Sequence, residues 1–592
     1  MSKSNPTKQE EFPEVIFRKA APIDVPEARY PGFKPGTTTL AMGAVMRAGA
    51  LPLPCDILFE RDVAVTLRDG IVIYVDVFRP VGGTNLPAII AWSPYGKEGG
   101  TTLLDDFPFR AGVPVRAVSN LQKWEAPDPA YWCNQGYAIV NPDSRGAYSS
   151  NGDIHYWGSQ DARDGYDVIE WVAAQKWSNG KIGMAGNSWL AIAQWFIAEE
   201  KPPHLAAIAP WEGLADLYRE DVGRGGIPNI GFNERITQQM RGNNRVEDVP
   251  AMVRNYPLMN AYWEDKSAKL EKIDIPTYVV ASWTNIIHTH GTIDGFRRIS
   301  SRKKWLRVHN TQEWPDFYSP QYTEELRRFF DRYLKGIKNG WEQTPRIRLS
   351  VLDPGGVDQV NRPENEFPLA RTQYRSLYLD GRSGTLSPEP VNTESAVRYK
   401  ADDGKGKAVF TTRFDQDTEL TGYMKLHLWV EAKGANDMDL FVIVQKLSKR
   451  GSLLSSMTMS PPNRFLRSLL RLLWFFKVKK LALMFFTGAN GRLRVSHRQL
   501  DPEHSTPFEP YLTHRAEELL RPRQIVPVDI PIWPLSMLWH AGQQLRIVIA
   551  GYNLSPAALP GVEPPMVRNK GEHIIHTGGK YDSHLFIPMI PG

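Results

Sequence analysis

One stretch constrains this chain more than any other: residues 181–191, with the sequence KIGMAGNSWLA. A short apolar run ends at Gly186, Asn187 and Ser188. An apolar helical run continues through Ala191, Ile192, Ala193, Trp195 and Phe196. Gly183 and Gly186 carry no Cβ, so neighbouring backbone can come close where the chain reverses. The expectation is a strand, a sharp turn and a helix. A serine held at such a turn projects its hydroxyl away from the backbone, with the helix N-terminus behind it. Ser188 is therefore the candidate nucleophile. The five-residue form of the pattern ends in glycine, and Leu190 stands there instead, so the flanking sequence must carry the assignment.

The flanks place that turn in a parallel sheet. Residues 63–67 and 71–78 are β-rich and joined by Arg68, Asp69 and Gly70, a hairpin signal. Residues 87–92 and 136–141 are continuous apolar runs, as strands buried on both faces should be. Residues 161–175 have helical spacing, with Ala162, Tyr166, Ile169, Val172 and Ala173 on one face. Further strands are expected at 205–210, 276–281 and 304–308, and helices at 292–300 and 324–335. Alternation of this kind predicts a mostly parallel sheet with helices on both faces, an α/β-hydrolase domain once the Ser188 turn is included. Residues 212–272 break the pattern with charges, Gly, Asn and helical runs such as 249–260, but no clear strand. They are expected to form a helical cap above Ser188.

After Pro345 period-two alternation takes over, at 346–351, 374–379, 408–412, 424–430, 439–444, 526–530, 544–549 and 583–587. This half is expected to be a β-sandwich or jelly roll. A chain of 592 residues is too long for one core. The expected organisation is an extended Pro- and Gly-rich arm at 1–54, the α/β-hydrolase domain at 55–211 and 273–345, the cap at 212–272 and the β domain at 346–592.

Charge and cysteine content exclude several classes. A net charge of +6 is small for this length and gives no nucleic-acid signature. Cys55 and Cys133 form no zinc spacing and no disulfide framework. No metal or cofactor is expected. The start of the chain, through Glu14, is polar with no signal-type apolar run, so a reduced, cytoplasmic protein is the default expectation. Residues 464–486 stand apart, with Phe465, Leu466, Leu469, Leu470, Leu472, Leu473, Trp474 and Phe475 among arginines and then Lys477, Lys479 and Lys480. Charges interrupt the segment too often for a membrane span. An amphipathic helix on an anionic membrane surface is one reading. A helical insertion packed on the β domain or on a partner subunit is the other.

A serine hydroxyl is a poor nucleophile until a base takes its proton, and the resulting oxyanion needs donors. In this fold the acid and then the His follow the serine in chain order. His309 directly follows the strand at 304–308 and is the leading base candidate, with His288 and His290, after the preceding strand, in competition. The acid is expected just past 276–281, where Asn285 stands. An amide can orient an imidazole but stabilises the imidazolium poorly; in a serine protease the same change cost about 10⁴ in turnover. Asp294, Glu313 and Asp316 are the alternative acids. The Trp189 amide is one oxyanion donor by position, and Tyr95, in the loop 93–97, offers a phenol as the other.

Several motifs together resemble the X-Pro dipeptidyl-peptidase and cocaine-esterase-like (CocE/NonD) serine hydrolases: SPYGK at 93–97, DSRG at 143–146 with SNG at 150–152, the run from Trp157 through DGYD at 164–167 to Trp177, GNSWLA at 186–191 and FFDRYLKG at 329–336. In that family an aromatic follows the serine and the last glycine is not required. The resemblance spans roughly residues 60–590. It implies an α/β-hydrolase followed by a jelly roll of galactose-binding-like form. The implied chemistry is hydrolysis of acyl esters or amides, peptides cleaved after a penultimate Pro included, without metal or cofactor. It assigns Ser188 as nucleophile, Tyr95 as the side-chain oxyanion donor and Trp189 as the residue whose amide is the second donor. Where the family has Gly-Trp-Tyr-Asp this chain has SWTN at 282–285, and its family His near 309–314 is displaced. The expected function is a serine hydrolase acting on a small-molecule ester or amide or a short peptide. The alternative is a weakened or inactive hydrolase fold kept for binding. A dipeptidyl-peptidase needs an anchor for the substrate's free amine, for which Glu212, Glu220 and Asp221 are candidates.

Overall fold

The apolar runs form strands of one sheet. The computed structural model describes residues 12–591 apart from 460, 462, 476–480, 482–483 and 556–561. The first eleven residues of the expected arm, and Lys477, Lys479 and Lys480 of the basic segment, thus lie outside the described residues. In chain order the strands are β1 (Gly36–Leu40), β2 (Ile57–Thr66), β3 (Val72–Pro80), β4 (Leu86–Ile90), β5 (Ala138–Asp143), β6 (Ser178–Asn187), β7 (Leu205–Trp211), β8 (Thr277–Ser282), β9 (Lys304–His309), β10 (Ile347–Val351) and β11 (Gln359–Glu364). Across the sheet they run β11-β10-β9-β8-β7-β6-β4-β5-β3-β2-β1. Every pairing from β5 to β10 is parallel, and those at both ends are antiparallel.

Two boundaries differ from expectation. Gly36–Leu40, read as part of the arm, is the edge strand β1. β10, placed with the β domain by its alternation, and β11, which fell inside that domain's expected bounds, extend the hydrolase sheet instead. Alternation marks a strand with one polar face; it does not say which sheet the strand joins.

Helices cover both faces. α1 (Pro129–Asn134) precedes β5. α2 (Ser159–Ala173) and α3 (Trp189–Glu199) pack on one face, and α9 (Pro320–Leu334) on the other. Gly183 in β6 lets α9 approach: a Cβ there would lie 2.8 Å from Leu334 Cδ1 and Phe330 Cε1. The cap carries α4 (Ile230–Gln239), α5 (Val249–Asn255) and α6 (Ala261–Asp265). It also holds a short strand the sequence did not signal, Arg245–Glu247, paired with Phe17–Lys19 of the arm. α7 (Thr289–Arg298) and α8 (Glu313–Phe317) follow β8 and β9.

In the C-terminal half, eleven strands form a second sheet, antiparallel save for one pairing. Its last strand, His584–Ile590, pairs with both Gln373–Asp380 and Thr418–Lys433, so the sheet closes on itself like a barrel. This domain leans on the cap: Arg224 donates to Asn490 and stacks over the Trp533 ring at 3.8 Å. A small hairpin, Ser456–Met457 with Phe485–Phe486, carries α10 (Arg464–Phe475).

Candidate active site

β6 ends at Asn187, and Ser188 turns the chain into α3 with φ 52° and ψ −118°. That conformation is strained for a residue with a Cβ. It is held by the Ser188 N–H donating to Glu212 O at 2.9 Å and by the Asn187 N–H donating to Glu125 O at 3.2 Å. Gly186 is required beside it: its φ is +143°, and a Cβ would lie 2.6 Å from Leu190 Cβ and 3.0 Å from Glu125 O. Leu190 thus fills the space that Gly186 leaves. Ser188 is partly accessible, and the first N–H groups of α3, Trp189 among them, have no intrahelical acceptor.

The loop after β4 brings Tyr95 to the same place, its ring edge-on to Trp189 with centroids 5.7 Å apart. Two buried lysines hold that loop. Lys97 sits among Asp62, Asp76 and Asp143. Lys123 Nζ donates to the carbonyls of Ala91 (3.2 Å), Ser93 (3.4 Å) and Pro142 (2.9 Å), tying the ends of β4 and β5 together. Burial pushes the Lys123 pKa down to about 7. Burial, and then the nearby Glu125 and Glu313, hold the Tyr95 phenol well above its usual range, so it remains a donor at any working pH.

The imidazole at Ser188 is that of His288, at the N-cap of α7: Nε2 lies 3.1 Å from Ser188 Oγ. Its Nδ1 is buried and has no hydrogen-bond partner among the described residues. Burial lowers its pKa to about 3, so the ring is neutral at working pH. His309, expected at Ser188, is elsewhere engaged. Its Nε2 lies 2.6 Å from Glu212 Oε1, and the Thr311 N–H donates to its Nδ1 at 3.3 Å. A ring whose Nδ1 accepts must carry its proton on Nε2, and that proton goes to Glu212. Neither nitrogen is left for Ser188. Glu212, at the end of β7, pulls the ring away.

Asn285 joins the same carboxylate. Its Nδ2 donates to Glu212 Oε2 at 2.8 Å, while its Oδ1 accepts the N–H groups of Ile287 (2.9 Å) and His288 (3.1 Å). It thus holds the backbone of His288 and does not touch the ring. Two of the three alternative acids are engaged elsewhere. Asp294 pairs with Arg298 at 3.1 Å, and Asp316 with Arg307. Glu313 has its Oε2 buried without a hydrogen-bond partner among the described residues, and burial, then Glu125 and Glu212, push its carboxyl up; burial and Glu212 likewise raise Glu125. His290 lies 3.3 Å from Glu220 and 3.1 Å from Glu509, and stacks on Trp533. Glu220 also accepts from the amides of Ala215 and Asp216, and Asp221 from Asn229 and Asn233. Glu212, Glu220 and Asp221, the candidate amine anchors, are therefore all satisfied within the chain. Sequence reasoning missed Glu212 as the partner of His309 and Asn285; its place just past a parallel strand was the available signal. Among the described residues no cluster of His, Cys, Asp and Glu is arranged to hold a metal.

The profile of X-Pro dipeptidyl-peptidase (S15 family) matches residues 69–312, and that of the X-Pro dipeptidyl-peptidase C-terminal non-catalytic domain matches residues 339–586. The crystal structure of a CocE/NonD family hydrolase from Staphylococcus aureus superposes with a TM-score of 0.81 at 33% identity, over 94% of this chain and 97% of that one. The cocaine esterase of Rhodococcus sp. (strain MB1 Bresler) is 26% identical over 410 residues, 58% of this chain and 67% of the esterase. An aminopeptidase from a marine sediment archaeon, Thaumarchaeota archaeon, shares the fold at a TM-score of 0.64 and 14% identity, over 90% of this chain and 97% of that one. With the elbow serine, the parallel sheet around it and the closed β domain behind it, these matches place the chain in the CocE/NonD, X-Pro dipeptidyl-peptidase-like family of hydrolases.

Proposed function

We propose that this chain is a serine hydrolase that cleaves acyl esters through an acyl-enzyme on Ser188, with His288 as the base. The observation that carries the reading is the 3.1 Å approach of a neutral imidazole to a serine on a strained elbow. Ser188 Oγ attacks the carbonyl carbon as His288 Nε2 takes its proton. The Tyr95 hydroxyl and the Trp189 N–H meet the developing oxyanion, the use to which preorganised donors are put in acyl transfer. The tetrahedral adduct collapses, the C–O bond breaks, and His288 returns its proton to the leaving alkoxide. Water then attacks the acyl-enzyme by the same route in reverse. With no carboxylate on His288 Nδ1, the imidazolium formed in each step is stabilised less than in a full triad, which makes a slow hydrolase. A cavity of about 290 Å³ between the cap and a jelly-roll-like β domain, lined by Phe232, Phe441, Ile286 and Ile287, opens beside His288. Ester cleavage is favoured over removal of X-Pro dipeptides because Glu212, Glu220 and Asp221 are each engaged inside the protein.

A fluorophosphonate probe at pH 8 tests the site. Labelling is expected for the wild type and for His309→Ala, and is expected to be lost in Ser188→Ala and His288→Ala. Folded wild type that does not label overturns the hydrolase reading in favour of a binding role. Loss in His309→Ala with retention in His288→Ala overturns the base. A screen of p-nitrophenyl esters against X-Pro anilides then decides the substrate class.

A further inference from the structure

The active site leaves α10 without a role. Leu466, Leu470 and Trp474, four residues apart, share one face of the helix. They pack on the core beneath α9, with Trp474 stacked on Phe485 at 4.8 Å and its Nε1 donating to Ser455 Oγ. A helix anchored by one such stripe ordinarily shows polar residues elsewhere. α10 instead leaves Phe465 77%, Leu469 39%, Leu472 53% and Leu473 37% exposed. At 3.6 residues per turn these four fall in one arc of about 100° beside the buried stripe. The charge around them has a single sign. Residues 451–500 contain no Asp or Glu, while Arg464, Arg467, Arg471, Lys477, Lys479 and Lys480 follow one another through the segment.

We propose that α10 docks this protein on an anionic lipid surface, Phe465, Leu469, Leu472 and Leu473 entering the headgroup–acyl boundary while the cations are held by lipid phosphates. Apolar area and positive charge together are what an interfacial helix needs. A second copy of the chain fits less well. A twofold contact places a patch against itself, here cations against cations in a chain already at +6. A lipid surface has no such conflict. Its field reaches about one Debye length, ~8 Å at physiological salt, close to a helix diameter of about 10 Å, so arginines off the apolar arc still contribute. The helix lies on the surface: among the described residues none is long and apolar enough to cross a membrane. The hairpin that carries α10 is tied to the hydrolase domain, where the Thr458 carbonyl at its foot accepts from the Gln312 N–H at 3.0 Å.

Co-sedimentation of the full chain with vesicles of phosphatidylcholine alone, and of phosphatidylcholine mixed with phosphatidylglycerol, tests this. Wild type is expected to bind the mixed vesicles and not the neutral ones. Leu469→Glu with Leu472→Glu is expected to abolish binding while the melting temperature and ester turnover in solution stay as in wild type. Arg467→Gln with Arg471→Gln, which leaves the apolar arc intact, is expected to weaken binding about fivefold per arginine. Wild type that ignores the mixed vesicles, or binds neutral ones equally well, overturns the proposal. So does binding unchanged in either double variant. A dimer by light scattering that the double-Glu variant converts to monomer, with no vesicle binding, assigns the face to a second copy and overturns it too.

Discussion

Replacing Asn285 with Asp restores the residue type that the family places there, yet the structure predicts harm. Asn285 Nδ2 is 2.8 Å from Glu212 Oε2, and the two residues are 5% and 1% exposed. A carboxylate at 285 exchanges a donor for an acceptor facing an acceptor. The lost hydrogen bond to a charged group is worth about 1.5–3 kcal/mol. Two carboxylates about 4 Å apart at an effective dielectric of 20 repel by roughly 4 kcal/mol. The pair can relieve most of that by sharing a proton, which raises one carboxyl's pKa. Above the ordinary carboxylate range the folded state then has to hold a proton that the unfolded state has released. The penalty therefore grows with pH, to about 3–4 kcal/mol at pH 8, and shrinks at pH 5. Thermal or urea melts at both pH values measure it. Fluorophosphonate labelling at pH 8 is expected to fall as well, because Asn285 anchors the backbone of Ile287 and His288. Asn285→Asp combined with Glu212→Gln reinstates a donor–acceptor pair and is expected to recover most of the stability. A melt at pH 8 equal to wild type would refute the reasoning, and faster labelling in the single variant would refute it and make position 285 the catalytic acid.

Tyr95→Phe removes one proposed oxyanion donor while keeping the ring on Trp189; kcat for a p-nitrophenyl ester is expected to fall about 10²–10³-fold with KM little changed. Gly186→Ala is expected to destabilise the fold by about 2–3 kcal/mol in urea unfolding, since its Cβ meets Leu190 at a strained φ. His288, with a folded pKa of about 3 below its unfolded 6.5, contributes stability that is complete above pH 6.5. As pH falls from 6.5 toward 3 that contribution is lost at about 1.4 kcal/mol per pH unit, because only the unfolded chain takes the proton. The wild type's stability relative to His288→Gln should show that slope in melts across this window and none above it.

Most of the hydrolase half can be read in the sequence. The runs at 87–92, 136–141, 205–210, 276–281 and 304–308 all become strands of the parallel part of the sheet, because burial on both faces leaves few polar positions in them, buried Asn141 and Arg307 among the exceptions. The C-terminal half is less legible. Its strands are visible by alternation, but period two is a property of one strand and its two faces. Which strands pair, and that His584–Ile590 closes the sheet, depends on partners up to hundreds of residues away.

The same division runs through the active site. Ser188, Gly186 and Trp189 belong to one local turn whose geometry follows from adjacent residues, and the chain alone sufficed to locate the proposed nucleophile. The histidine that faces it could not be found that way. His309 is the last residue of its strand and His288 lies in the loop past the preceding one, so chain order and strand position favour His309, while the 3.1 Å approach to Ser188 favours His288. The choice rests on Glu212, 97 residues before His309 in sequence and 2.6 Å from it in space. That carboxylate, buried at the end of β7, takes the proton of His309 and the amide of Asn285, and leaves His288 facing Ser188. A buried charge must be met by whatever donors the fold brings to it, and which donors those are is settled only when β7, β8 and β9 lie side by side.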